Sequence, residues 1–326
     1  MRAVLCKELT GHQGLVVGEV PAPALKGPNS VRIQVHAAGL NFADTLVVAG
    51  KYQEKPALPF SPGLECAGVV LETGADVRHV KTGDRVMATT SFGAFAEEVV
   101  TDANEVYPIP DAMDFETAAA FPVAYGTSHV ALRRRAALQR GETLMIHGAA
   151  GGVGLTAVEI GKAMGATVIA TARGADKLAV AKAHGADHLI DYAAEDLRAR
   201  VKAIVGEKGV DVIYDPVGGD VFDTSLRCLA WEGRLLVVGF AAGRIPQAPA
   251  NLLLVKNTAV MGVFWGAYRQ RNPQVLRESF AELLAWHAAG KLRPHISHRF
   301  ALDQAPEAMA AMLERRSTGK VILKPR

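Results

Sequence analysis

The sequence predicts an α/β chain of two lobes, a partly closed antiparallel β-barrel followed by a doubly wound parallel sheet. Three observations carry this. The first third holds short alternating segments broken by Gly and Pro. From about Ala118 apolar runs alternate with helical segments, and a glycine-rich turn joins the first of those runs to a long helix. A chain of 326 residues has room for about two domains of ~150 residues each. Its hydrophobic content of 49% is that of a globular protein and excludes a disordered or fibrous chain.

In the first lobe, residues 30–38 alternate Val31, Ile33 and Val35 with Arg32, Gln34 and His36, the period of a half-buried strand. Further strands are expected at 66–71, 84–88 and 96–100, separated at GPNS, ETGAD and KTGDR, with no helical period of useful length between them. In the second lobe a helix over 125–136 precedes a buried strand at 143–147. Strands at 167–172, 188–191, 210–215, 234–238 and 258–263 then alternate with helices at 153–164, 177–184, 197–205 and 221–229. This βαβ alternation requires a parallel sheet covered on both faces, the Rossmann arrangement. The tail from Pro273 carries a helix to about His287, a strand at 295–300, a helix at 305–314 and a last strand at 320–323. A sheet that already has six strands cannot take these without further crossovers, so the tail is expected to rejoin the first lobe. The expected division is a barrel-like catalytic domain of residues 1–121 and 267–326 and a dinucleotide-binding domain of residues 122–266.

Lys and Arg total 36 against 33 Asp and Glu, and a net charge of +3 is too small and too evenly spread for a nucleic-acid footprint. The one basic cluster, Arg133-Arg134-Arg135, ends a predicted helix and reads as a solvated last turn favoured by the helix dipole. Cys6, Cys66 and Cys228 are too few and too scattered for a secreted disulfide framework and indicate a reducing compartment. Lys7 and Glu8 stand where a secretory signal needs its apolar run, and no run of ~20 apolar residues offers a membrane span. A soluble, cytoplasmic protein without nucleic-acid or membrane partners is expected.

The sharpest local signal is IHGAAGGVGL, residues 146–155, between a strand and a helix. Glycines there let the chain turn tightly, let a pyrophosphate approach bare backbone and let the helix pack on the strand, while the helix N-terminus offers N–H groups to the anion. Against the dinucleotide fingerprint, Ala149 replaces the first glycine, Gly151 and Gly154 keep their places and Gly152 is added. Ala150, Gly151, Gly152 and Val153 are the candidates to hold the pyrophosphate. At the end of the second strand of this lobe, TVIATARGADK has no acid at Ala172 or Arg173 to meet ribose hydroxyls. Arg173 and Lys177 offer cations to a 2′-phosphate instead, so NADPH is expected over NADH.

The whole arrangement resembles the medium-chain dehydrogenase/reductase superfamily, and within it the zinc-free quinone oxidoreductases that include zeta-crystallin. The residues carrying the resemblance are AAGLNFADTLVVAGKY (37–52), LPFSPGLECAGVV (58–70), TGDRV (82–86), AAGGVGL (149–155) and YDPVGG (214–219), and it covers essentially the full chain. It implies a GroES-like barrel lobe beside the Rossmann lobe. Three scattered cysteines cannot supply the four-cysteine structural zinc lobe of the superfamily. Where the alcohol dehydrogenase branch takes Cys and His for its catalytic zinc, this chain has Asn41 and Leu64, neither a competent ligand. His295 and His298, three apart in a strand, face opposite ways and read as structural, and Ser128 in GTSHV does not complete a hydrolase elbow.

By this resemblance Asn41, Phe42 and Asp44 lie on the loop that faces the nicotinamide, Thr127 approaches the cofactor from the other lobe, and Phe264 with Trp265 follows the last sheet strand where the nicotinamide enters the cleft. Tyr192 and Arg316 match positions near the adenosine phosphate, with Arg315 as a competing alignment. Tyr214 and Phe240 read as Rossmann core, and Phe240 is carried in the cofactor set as well. Without zinc an alkoxide is hard to stabilise, so the acceptor should hold its own electron sink: a quinone or an α,β-unsaturated carbonyl, reduced by hydride from NADPH. Asn41 and Tyr52 are the candidates to hydrogen-bond the acceptor oxygen, with Tyr52 equally readable as a cleft wall. The alternatives are an NADPH-binding structural protein of the crystallin kind and an NAD-linked alcohol dehydrogenase. A homodimer joined at the strand over 258–263 is expected, because that edge would otherwise expose unpaired backbone.

Overall fold

The structure, a computed structural model, describes residues 1–325. In its first part β1 (Arg2–Cys6) and β2 (Leu15–Glu19) form an antiparallel pair, followed by β3 (Ser30–Leu40), the short helix α1 (Phe42–Val48), β4 (Glu65–Thr73), β5 (Arg85–Thr89), β6 (Glu98–Asp102), β7 (Val106–Pro108) and α2 (Phe115–Ala119). Along β3 the side chains of Val31, Ile33 and Val35 are buried and His36 is exposed, the alternation its sequence requires. β3 pairs antiparallel with β6 over its N-terminal half and with β4 from Val31 to Ala38.

Next come α3 (Pro122–His129), which continues to Arg135 as a wider π-type turn, β8 (Thr143–Ile146), α4 (Gly152–Ala163), β9 (Thr167–Ala172), α5 (Ala175–Ala183), β10 (His188–Asp191), α6 (Leu197–Val205), β11 (Val210–Asp215), α7 (Gly219–Cys228), β12 (Leu229–Val237), α8 (Ala250–Leu254), β13 (Ala259–Gly262), α9 (Tyr268–Arg271) and α10 (Pro273–Ala288). Strands β8 to β13 form one parallel sheet in the order β10-β9-β8-β11-β12-β13, a doubly wound order whose switch point lies between β8 and β11. Met145, Ile169, Ile190 and Ile213 of four neighbouring strands pack with Phe222, Leu226 and Val201 of the covering helices.

The tail supplies β14 (Ile296–Ala301), α11 (Ala305–Leu313) and β15 (Lys320–Lys324). β15 pairs parallel with β14 and antiparallel with the C-terminal half of β3, giving the order β14-β15-β3-β4-β5-β7. The tail thus rejoins the first lobe, as its sequence suggested, but not from Pro273. The compact units are Met1–Ala124 with the chain from Pro294 onward, and Tyr125–Arg293. Residues 267–293, expected in the first domain, belong to the second. The cause is the buried face of α10: Ser279 Oγ lies 2.8 Å from His129 Nδ1, Glu282 lies 3.0 Å from His129 Nε2, and Phe280 meets Trp265 edge to face.

Arg133 and Arg134 of the basic run are exposed, as its sequence suggested; Arg133 pairs with Glu282 at 3.5 Å and Arg135 donates to the Gly262 carbonyl. Cys6, Cys66 and Cys228 are buried free thiols, with burial pushing Cys66 up to about 12. Among the described residues no helix is long and apolar enough to cross a membrane.

Candidate active site

Within the second unit the glycine turn leaves β8 at its C-terminal end. Gly148 has φ +57°, the left-handed region, and Gly151 N–H closes the turn on the Gly148 carbonyl at 2.9 Å. A Cβ at Gly154 would collide with that same carbonyl, so the third glycine is needed for helix α4 to approach the turn. Ala149 N–H donates to Thr171 O at 3.0 Å and ties the turn to β9, and because Ala149 does not take the left-handed conformation that Gly148 does, an alanine serves where the fingerprint has glycine. Gly151 is the N-cap of α4 and has no side chain to satisfy the first N–H groups of the helix. Ala150, Gly151, Gly152 and Val153 therefore present a helix N-terminus of three full turns at the carboxyl end of the sheet, the arrangement that receives a pyrophosphate.

Two buried networks brace this turn from below, and both escaped the sequence reading. Ser128 donates to the Val153 carbonyl at 2.8 Å and accepts from the Tyr214 phenol at 2.9 Å. Burial holds the phenol well above its ordinary range, so it remains a donor. His147 sits between Thr171 (2.8 Å to Nδ1) and Ser225 (2.7 Å to Nε2). Ser225 gives its own proton to Val221 O, so Nε2 is the protonated nitrogen and Nδ1 accepts from Thr171. Burial lowers the pKa of His147 and keeps the ring neutral. A serine within a helix and a histidine at a strand end are legible as polar, but not as partners across 86 or 78 residues of sequence.

At the far end of β9, Arg173 is exposed and Lys177 half-buried on the first turn of α5. Gly174 N–H donates to Asp191 Oδ2 at 3.0 Å, which brings this turn against the end of β10, where Tyr192 follows half-buried. Phe240 follows β12 and is 37% exposed beside Gly218, so it is not the core residue its sequence suggested, whereas Tyr214 is. After β13, Phe264 is 48% exposed, and Trp265 is buried against Gly126, where any Cβ would strike the indole; Thr127, next in α3, is buried too. The indole Nε1 of Trp265 is buried without a hydrogen-bond partner.

In the first unit Asn41 ends β3 and is the N-cap of α1. Phe42 is partly exposed at the start of that helix, while Asp44, in its first turn, is buried. Asp44 Oδ2 accepts the Asn41 backbone N–H at 2.8 Å, and Oδ1 is buried without a partner. Asp44 thus turns its carboxyl inward, whereas Phe42 is partly exposed. Burial pushes its carboxyl up to about 7, against the opposing pull of the Asn41 N–H and the Lys320 charge. The Asn41 amide is held at both ends: Nδ2 donates to Glu65 Oε1 at 2.7 Å, and Oδ1 accepts from Lys320 Nζ at 2.8 Å. Lys320 also donates to Glu65 Oε1 at 2.6 Å, and both residues are buried. Tyr52 is half-buried against the barrel core. Arg316 is exposed and paired with Glu314 at 2.7 Å, and its neighbour Arg315 takes a left-handed conformation just past α11.

These residues do not fit a catalytic zinc. Asn41 and Leu64 offer no thiolate or imidazole, and the polar atoms around Asn41 are already committed to an ammonium that would repel a second cation. Among the described residues no three His, Cys, Asp or Glu side chains gather as a metal would require.

Residues 27–111 match the model of the alcohol dehydrogenase GroES-like domain, and residues 152–285 that of the zinc-binding dehydrogenase. The chain is 45% identical over 323 residues to quinone oxidoreductase-like protein 2 of Rattus norvegicus, covering 99% of this chain and 91% of that one. It is 38% identical over 305 residues to a quinone oxidoreductase of Pseudomonas aeruginosa, covering 93% of each. The quinone oxidoreductase of Escherichia coli, solved in complex with NADPH, superposes over the full length of both chains with a TM-score of 0.92 at 32% identity. On its two lobes, its glycine turn and these likenesses, the chain belongs to the quinone oxidoreductase family of the medium-chain dehydrogenase/reductase superfamily.

Proposed function

We propose that this chain is a zinc-independent, NADPH-dependent reductase of quinones or α,β-unsaturated carbonyls, working in the cytoplasm as a homodimer. The observation that supports the reading is the closed hydrogen-bonded cluster of Lys320, Glu65 and Asn41, whose Asn41, with Leu64, stands where the resemblance puts the zinc ligands of the alcohol dehydrogenase branch. An acceptor that delocalises its own developing charge needs no metal. NADPH bound at the glycine turn would supply the hydride.

Ala150, Gly151, Gly152 and Val153 receive the pyrophosphate on backbone N–H groups, and Arg173 and Lys177, with Tyr192, receive the 2′-phosphate. The exposed ring of Phe240 and those of Phe264 and Trp265 follow the carboxyl ends of β12 and β13, where a doubly wound sheet binds its ligand. By the family resemblance Thr127, Asn41, Phe42 and Arg316 also serve the cofactor, with Asp44 acting indirectly through the Asn41 N–H it accepts. Tyr52 would donate its phenol proton to the acceptor oxygen as charge develops there. The open edge of β13 would pair with its copy in a second chain.

Steady-state NADPH oxidation against a panel of quinones, enals and enones, with and without a chelator, tests the reading. Turnover insensitive to chelation is expected. NADPH binding without turnover on any acceptor would leave a cofactor-binding structural protein, and chelator-sensitive oxidation of simple alcohols with NAD would leave an alcohol dehydrogenase.

A further inference from the structure

We propose that Lys320 is a positioning residue of the reductase reaction, a built-in ammonium that holds the N-cap of α1 where the alcohol dehydrogenase branch places its metal ligands. The inference rests on the reductase reading above. Lys320 opens β15, and its side chain is 4% exposed. An ammonium has three N–H donors, and each has its own acceptor here: Leu40 O at 2.9 Å, Asn41 Oδ1 at 2.8 Å and Glu65 Oε1 at 2.6 Å. No donor is left over for a ligand, so Lys320 acts through its neighbours.

What it holds is the junction of β3 with α1. The Leu40 carbonyl is the last of β3, and Asn41 is the residue from which α1 starts. With Oδ1 facing the ammonium and Nδ2 facing Glu65, the amide cannot turn over without setting donor against donor. Glu65 extends the clamp, since its Oε2 accepts the Val123 N–H at 2.7 Å in the first turn of α3. One ion pair therefore fixes β15, β4, the start of α1 and the start of α3. The backbone makes room for it at Gly39, where a Cβ would run into the Glu65 carboxylate and the Ala119 carbonyl.

Stability alone gives little reason to keep such a pair, because buried ion pairs commonly do no better than apolar residues of the same volume. A fixed charge with two donors on the segment that carries Asn41 and Phe42, and the third on the Glu65 carboxylate that holds the Asn41 amide, has a reason in position.

Three variants test this: Lys320→Met, which keeps length and loses charge; Glu65→Gln/Lys320→Met, which leaves no carboxylate buried alone; and Lys320→Ala, which vacates the ammonium position. NADPH affinity is read by fluorescence titration, and kcat and KM with a quinone, in ammonium chloride and in sodium chloride. The expected result is a kcat lower by about tenfold or more in folded variants, with NADPH affinity within about twofold because the pyrophosphate and adenosine contacts lie elsewhere. Ammonium, and not sodium, should restore turnover to Lys320→Ala. Wild-type kcat in a folded Met variant, single or double, overturns the inference, as does an Ala variant indifferent to ammonium. Failure of all three to fold overturns it in favour of a purely structural ion pair. Should the wild type bind NADPH without oxidising it, the reductase reading fails by itself. The ammonium arm is then read as a rise in melting temperature specific to Lys320→Ala, and its absence overturns the clamp.

Discussion

The Tyr214 phenol meets the Ser128 hydroxyl at 2.9 Å, and through this contact the central strand β11 is fastened to the first turn of α4. The two partners are not equivalent. Ser128→Ala strands a buried phenol proton and leaves the Val153 carbonyl to Thr156 alone among side chains, whereas Tyr214→Phe leaves Ser128 still bonded to Val153 and Thr156. Ser128→Ala should therefore cost about 1–3 kcal/mol and Tyr214→Phe about 0.5–1.5 kcal/mol in urea unfolding. NADPH affinity should weaken with Ser128→Ala, because Val153 belongs to the turn that receives the pyrophosphate. Equal losses in the two variants would show that the phenol has another acceptor.

Choice of cofactor should reside in Arg173. Its guanidinium is exposed at the end of β9, and no carboxylate stands at Ala172 to engage a ribose hydroxyl. A charge-assisted contact to a 2′-phosphate is worth about 1.5–3 kcal/mol, so Arg173→Ala should raise the Kd for NADPH about tenfold or more and leave that for NADH unchanged. Fluorescence titration of both cofactors decides it, and a parallel loss for the two would move the discrimination elsewhere.

The second lobe was legible in the sequence because each parallel strand is a continuous apolar run bounded by turn residues. The strands at β9, β10 and β11 and helix α6 fall where periodicity places them. The first lobe was less so. β1, β2 and β7 are short, and α1 and α2 span seven and five residues, too few for a helical period to register. The α10 error has the same root: its apolar stripe shows that it buries a face, and only the bonds from His129 to Ser279 and Glu282 show against what. At the site, backbone-defined features such as the glycine turn were readable from spacing. The Lys320–Glu65–Asn41 cluster was not, because its members lie 24 to 279 residues apart and none belongs to a short motif.

The open edge of β13 makes oligomeric state a direct test of the second lobe. β13 pairs with β12 and ends the sheet, and its residue Ala259 is exposed. The wild type should be a dimer by light scattering at micromolar concentration. Ala259→Lys, a charge of the kind that blocks strand addition, should give a monomer whose stability changes by no more than about 0.5 kcal/mol. A wild-type monomer, or a dimer unmoved by the lysine, would remove β13 from the interface.

The pH dependence of stability should carry the signature of Asp44. Its carboxyl is buried, and burial outweighs the pull of the Asn41 and Gly63 N–H groups and of Lys320, raising its pKa from the ordinary 3.8 to about 7. A folded-state pKa above the unfolded one means that the folded chain holds this proton more tightly. The group's contribution to stability is fully present below about pH 4 and is lost as pH rises through about 7, where the unfolded chain ionises in water at no such penalty. Holding that proton is worth about 4 kcal/mol at most across the window, and less where the buried carboxylate relaxes toward Lys320. Asp44→Asn keeps an oxygen for the Asn41 N–H and cannot ionise, so its unfolding free energy should lack the decline that the wild type shows between about pH 4.5 and 8. Urea unfolding of both proteins across that range makes the comparison, in which the difference between the two curves matters and the absolute stability does not. Parallel curves would mean that Asp44 is ionised throughout, with Lys320 and the Asn41 N–H together outweighing its burial.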